Sequence, residues 1–313
     1  MPNEIETVGH FELVDGGKTI LHSHKDVAFP KVIASPSYGG SINALAQDNN
    51  YIYAGGSSVL MARKYLKSNM SLVAESPSYG GQIWALTQDD DYIYAGGATT
   101  LKIRKYLKSD MSFVSESPSY GGDIYALTQD TDYVYAGGSV TNKVRKYLKA
   151  DMSFVAESLT YGGTILSIAQ DTDYIYAGGA TTLKVRKYLK ADMSFVSESP
   201  SYGGGVRAII QDANYVYAGG DTTQTVRKYF KSDMSFVAES PHCGGHVYTL
   251  AQDTDHVYTG GTGLLIVRKY LKSDMSLIAG SPSYGGQVNA LEQETDYIYV
   301  GGTTNMRIWK ISK

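Results

Sequence analysis

The stretch SPSYGGQIWALTQDDDYIYAGG, residues 76–97, is written seven times along this chain with only small changes. The copies begin at Ser35, Ser76, Ser117, Ser158, Ser199, Ser240 and Ser281, each 41 residues after the last, with no insertion or deletion. A fixed period of this size indicates a solenoid, a propeller or an array. Each copy is dense in Gly, Pro and Asn and shows no helical periodicity, so a helical repeat is excluded.

Four strand signals fit within one copy. In the second copy they are QIWALTQ, YIYAGG, LKIRKYLK and SFVSE, separated by Asp-rich, Gly-rich and Ser-Asp-Met turns. Short runs of Tyr, Ile, Val and Phe bounded by Gly, Asp and Ser are strand signals, and four strands per unit of this length make a propeller blade. The expected fold is therefore all-β: a seven-bladed β-propeller with four-stranded antiparallel blades. The last copy stops at Lys313 without the segment corresponding to SDMSFVAE, whereas residues 25–34, KDVAFPKVIA, resemble the missing piece. These residues are expected to form the outer strand of the last blade, pairing with Met306–Ile311 and closing the ring. Pro30 suits such an edge strand. The propeller domain is then 25–313, and residues 1–24 form an N-terminal extension, with a hairpin expected around Asp15-Gly16-Gly17 that would cap the disc, plug its channel or hold a partner.

Composition narrows the function. The 313 residues are 42% hydrophobic and 19% charged, with a net charge of −3. The Lys and Arg residues recur at fixed repeat positions beside Asp and Glu, which argues against a nucleic-acid footprint. No apolar run approaches the roughly 20 residues of a membrane span, and the N-terminus carries no secretory signal. Cys243 is the only cysteine; it rules out a disulfide framework and fits a reducing compartment such as the cytoplasm. A closed ring predicts a monomer.

The pattern Q-D-x-D-Y-I-Y-A-G-G…V-R-K-Y resembles the repeats of propellers in the quinoprotein-like and WD-repeat-like superfamily. The resemblance spans residues 25–313 and implies an architecture rather than an activity. The Trp-Asp dipeptide of WD repeats is absent, Trp84 and Trp309 being the only tryptophans.

Comparing the copies with one another shows where the chain departs from its own pattern. The glycines, Q-D, Y-I-Y and K-Y-L-K barely change. The seventh residue of the copies reads Ser41, Gln82, Asp123, Thr164, Gly205, His246, Gln287, and the ninth reads Asn43, Trp84, Tyr125, Leu166, Arg207, Tyr248, Asn289. Lying two apart at the start of the innermost strand, these residues are expected on one side of it. The five residues after A-G-G vary as well. In an up-and-down blade both regions fall at one end, so one face of the disc and its channel mouth are individualised while the opposite face is repeated.

The expected ligand site is this mouth. Trp84, Tyr125 and Tyr248 offer flat apolar contact, and Arg207 a partner for a carboxylate or phosphate. Asn43, Asn289, Gln82 and Gln287 offer hydrogen bonds, with Asp123 and His246 beside them. Trp, Tyr and Arg are the types enriched at binding hot spots. The mixture suits a protein or glycan partner and a non-enzymatic recognition or scaffold role, with no cofactor. Lys108 and Lys149, on the repeated face, are expected to be silent to substitution. Two alternatives stand beside this reading. One is a multivalent lectin using the Y-G-G tyrosines Tyr38, Tyr79, Tyr120, Tyr161, Tyr202 and Tyr284. The other is an enzyme whose channel is lined by Asp123, Arg207, His246 and Glu292, although no catalytic motif or assignable catalytic residue is present. Metal binding has little support: His10, His22 and His24 lack a carboxylate partner, and the Asp130-x-Asp132 pairs read as turns rather than calcium loops.

Overall fold

The computed structural model describes residues 32–313 except 264, together with the pairs Val14–Asp15 and Lys18–Thr19. Each copy forms one four-stranded antiparallel sheet whose strands follow one another in order from the inside outwards. In blade 2 the strands are Ile83–Gln88, Tyr92–Gly97, Arg104–Leu107 and Phe113–Glu116. Blade 7 comprises Val288–Gln293, Tyr297–Gly302 and Trp309–Ser312, and its outer strand is Val32–Ala34 from the other end of the chain. The register is Val32↔Ile311, Ile33↔Lys310 and Ala34↔Trp309, and Ser35 continues it, its Oγ accepting from the Ile308 amide at 2.9 Å. The fold is a seven-bladed propeller closed by this strand. The partner strand begins at Trp309 rather than Met306, because Met306 has a left-handed φ of 48° that takes it out of the ladder. Residues 25–31, with Pro30, lie outside the described residues, as do His10, His22 and His24. Val14–Asp15 pairs antiparallel with Lys18–Thr19.

Blades pack face to face through apolar layers. Ala126 and Tyr135 of blade 3 meet Tyr161, Ile165 and Ile168 of blade 4, all buried. The repeated Gly-Gly that ends the second strand is a requirement of contact. In blade 3 a Cβ on Gly137 would stand 2.5 Å from Ile165 Cγ2 of the next blade, and one on Gly138 would stand 1.8 Å from the Asp123 carbonyl oxygen.

Polar rings run through these interfaces. The Asp of each Q-D turn accepts two backbone N–H bonds and a tyrosine hydroxyl; Asp89 takes those of Asp91, Tyr92 and Tyr94. The same Asp then pairs with the second lysine of K-Y-L-K from the following blade: Lys108–Asp48 at 3.0 Å, Lys149–Asp89 at 3.0 Å, Lys190–Asp130 at 3.1 Å, Lys231–Asp171 at 2.9 Å, Lys272–Asp212 at 3.4 Å and Lys313–Asp253 at 3.1 Å. Lys67–Glu294 at 2.7 Å completes the circle across the seam where the chain ends meet. The first lysine of K-Y-L-K points the other way. Lys105 Nζ donates to the Lys149 carbonyl at 2.8 Å and sits 3.8 Å over the Tyr92 ring. Lys108 and Lys149 are thus buried inter-blade ties, which corrects the expectation that replacing them would be silent. Inside the ring, glutamine side chains step from blade to blade, as in Gln129 Nε2 to the Gln88 carbonyl at 2.9 Å.

Candidate functional site at the individualised channel mouth

The loop after the second strand and the start of the first strand meet at one end of every blade. The Ala98 amide donates to the Gln82 carbonyl and the Ser139 amide to the Asp123 carbonyl. The ninth residues reach the mouth by a route that simple alternation does not describe. In each blade the pairing register shifts between the eighth and tenth residues; in blade 2, Ile83 faces Gly97 and Ala85 faces Gly96. Trp84 and its six equivalents are therefore bulge residues, re-aimed by the extra residue. The seventh residues lie just before the strand rather than within it. The bulge also sets the core: the eighth and eleventh residues, such as Ile83 and Leu86, both pack on the preceding blade.

Three arcs make up the mouth. The apolar arc spans blades 2–4. Trp84 and Tyr125 lie 5.9 Å apart between ring centroids, and Leu166 joins them in lining a cavity of about 180 Å3. The Trp84 Nε1–H is buried without an acceptor among the described residues. The Tyr125 hydroxyl donates to Asp123 at 3.4 Å, and its pKa is raised by burial and by that carboxylate. Val140 and Leu159, 74% and 72% exposed, extend the apolar character outward, where other copies carry Thr, Ser or Gly and Pro. The amide arc spans blades 7 and 1. Asn289 Nδ2 lies 3.4 Å from Asn43 Oδ1, and both line the same cavity. Gln82 is exposed and Gln287 partly so.

The charged arc spans blades 5 and 6. Arg207 Nε donates to Asp221 Oδ1 at 2.5 Å, and His246 Nδ1 lies 2.7 Å from the same oxygen. The Tyr248 ring supports the guanidinium at 4.9 Å. Arg207, His246 and Tyr248 thus form one cluster, and neither Arg207 nor Tyr248 lines the cavity that takes Trp84 and Tyr125. Asp221 was not among the residues singled out from the sequence. Its signal was there: it is the only charged residue at its repeat position, where other copies have Ser57, Ala98, Ser139, Ala180, Thr262 and Thr303.

Several expectations change in the structure. Glu292, read as a channel residue, lies on the innermost strand of blade 7, further along than Asn289 and facing blade 1, where its carboxylate accepts from Gln47 Nε2 at 3.3 Å. Burial pushes its pKa to about 7 against the pull of Gln47 and Lys67. The Y-G-G tyrosines cannot serve as lectin platforms. Tyr38, Tyr79, Tyr120, Tyr161 and Tyr202 have no exposed surface and Tyr284 has 1%; the Tyr161 hydroxyl donates to the Lys184 carbonyl at 2.6 Å. Asp130 behaves as a turn residue, bonded to the amides of Asp132 and Tyr133. Among the described residues, no group of three or more His, Cys, Asp or Glu is placed to hold a metal, and no helix is long and apolar enough to cross a membrane.

Fold and closure together define a seven-bladed β-propeller whose last blade is completed by a strand from the other end of the chain. The molecule is similar to the WD40 repeats of RRP9, with 14% identity over 90% of this chain and 97% of that one and a TM-score of 0.82. It is similar to the WD40 propeller domain of Doa1, with 11% identity over 91% and 98% and a TM-score of 0.78. The computationally designed Ika8 protein also matches, with 11% identity over 90% and 98% and a TM-score of 0.71. At these identities the likeness is one of fold. No protein-family model matches the sequence, and no curated protein is similar to it.

Proposed function

We propose that this propeller is a monomeric recognition or scaffold module that binds a protein or glycan partner through its individualised face and channel mouth, without catalysis of its own. The observation that carries this reading is the confinement of varied, hot-spot-type side chains to one end of an otherwise repeated ring. The opposite end is recessed as well, with a bowl of about 1490 Å3, but that bowl, with Asp90, Thr131, Thr172 and Ala213 at the turn tips, is lined mostly by the same repeated Gln, Asp, Tyr and Lys positions. Those groups tie blades together, which explains why they repeat.

A second reading rests on the Asp221–His246 pair. A carboxylate holding an imidazole at Nδ1 is the base-and-orienter arrangement of hydrolases. No nucleophile stands in hydrogen-bond contact with that imidazole among the described residues.

The test is a binding titration against a selected partner. Trp84→Ala and Arg207→Ala each weaken binding at least about tenfold, while the exposed opposite-face changes Thr131→Ala and Thr172→Ala leave it unchanged. Equal effects from both faces would refute the assignment.

A further inference from the structure

Three repeat positions depart from the common pattern at one place on the rim, and the departures fit one another. The seventh residue of the fifth copy is Gly205, where the other copies carry a side chain; its ninth is Arg207, and the residue after its Gly-Gly is Asp221. A Cβ on Gly205 would come within 3.1 Å of Asp221 Oδ2, so the missing side chain leaves room for the carboxylate. Asp221 Oδ1 is held between Arg207 Nε and His246 Nδ1, at 2.5 and 2.7 Å. Unconstrained drift at separate positions has no reason to yield such a matched set.

The consequence is an arginine fixed on its inner edge and on one face. Asp221 takes Nε, and Tyr248 lies 4.9 Å from the guanidinium carbon. The two terminal nitrogens make no hydrogen bond with the described residues. A planar guanidinium with its outer edge free matches the two oxygens of a carboxylate. Fixing it before the ligand arrives reduces the ordering cost of binding. Asp221 offsets the arginine's charge, which suits a singly charged carboxylate better than a doubly charged phosphate.

Resting on the reading of this face as a recognition surface, we propose that Arg207, positioned by Asp221 and Tyr248, is a carboxylate-binding site for an acidic side chain or the free C-terminus of a partner peptide. The Trp84–Tyr125 arc across the mouth then receives an apolar part of the same peptide.

Peptides selected on the propeller from a random library with free C-termini provide the probe. Each is remade in three forms: parent, Asp and Glu changed to Asn and Gln, and C-terminal amide. With the native protein, one of the two acid-free forms binds at least tenfold more weakly, and which one tells side chain from terminus. In Arg207→Gln the parent and that form bind alike, and Arg207→Lys gives an intermediate ratio. Because the ratio is read within one variant, a change in the folded fraction does not mimic it. Trp84→Ala weakens the forms equally. Peptides that depend on Trp84 but ignore both acid removal and Arg207→Gln would overturn the carboxylate site and leave the recognition face standing. Peptides indifferent to Trp84 and Arg207 alike, or a selection that yields none, would overturn both.

Discussion

Replacing Lys149 by Met tests whether the inter-blade ion pairs hold the disc together. The change removes the ammonium and keeps the apolar stem. Lys149 Nζ pairs with Asp89 Oδ2 at 3.0 Å, with side chains only 10% and 21% exposed, and also donates to Gln129 Oε1. Breaking a fully buried pair by removing one partner costs about 3–5 kcal/mol. Asp89 is partly hydrated and keeps the Tyr94 hydroxyl and two amides, so the loss here is about 2 kcal/mol. At about 2 °C per kcal/mol for a chain of this size, melting falls by about 4 °C. Lys143→Met is the comparison: its pair with Glu157 is more exposed, at 34% and 27%, and such a pair is worth at most about 1 kcal/mol. Acid sensitivity is a second readout. Burial raises the Asp89 pKa, but bonds from Tyr94 and Lys149 outweigh it and hold the carboxyl below its usual range. A depressed carboxyl stabilises the fold above its unfolded-state pKa of about 3.9, and that stability is lost as pH falls further. The difference between Lys149→Met and the native protein therefore shrinks in acid. Differential scanning calorimetry at pH 7 and pH 3 measures both effects. A Lys149→Met protein that melts with the native one at pH 7, or no lower than Lys143→Met, refutes the reasoning.

Other perturbations test separate parts of the structure. Glu292→Gln should stabilise the protein above pH 7 by up to about 3 kcal/mol, because burial has raised the Glu292 pKa to about 7 and ionised Glu292 is the disfavoured form. The raised carboxyl favours the fold below its unfolded-state pKa, and this contribution is lost as pH rises through 7, so chemical denaturation curves of the two proteins should converge near pH 4; equal stability at pH 8 would contradict this. Deleting residues 1–34 leaves the Trp309–Ser312 edge unpaired and should cause aggregation, whereas a monomer with unchanged melting would disprove the closure. Gly138→Ala brings a Cβ to 1.8 Å from the Asp123 carbonyl and should cost about 3 kcal/mol or more in urea denaturation; a loss under about 1 kcal/mol would show that the bulge can move.

The repeat made the architecture legible. A 41-residue unit with four strand signals leaves little choice of fold, and the absent outer strand of the last copy pointed to residues 25–34 as its replacement, of which Val32–Ala34 forms the strand. The individualised mouth was legible because the chain supplies its own comparison set. The bulge at Trp84 was hidden, since a two-against-one pairing leaves no mark on an alternating pattern. Lys149 was misread as an ordinary surface lysine. Its partner Asp89 stands 60 residues away, and a contact between copies is invisible when each copy is read alone; the constancy of both residues was the clue. Asp221 was missed for the same reason, since its contact with His246 crosses from the fifth copy into the sixth. Glu292 was read as a channel residue by position, and its contact with Gln47 of blade 1 was not legible because it crosses from the last copy to the first.

The central claim is that recognition belongs to the individualised face. The most direct measurement is hydrogen–deuterium exchange on the native protein with each of several independently selected peptide and glycan ligands. Protection should converge on the segments around Trp84, Tyr125, Arg207 and Tyr248 and on the loops after Gly-Gly, with the Q-D turns unchanged. Protection centred on the turns around Asp89, Asp130 and Asp171, or spread evenly over the outer strands, would contradict the account.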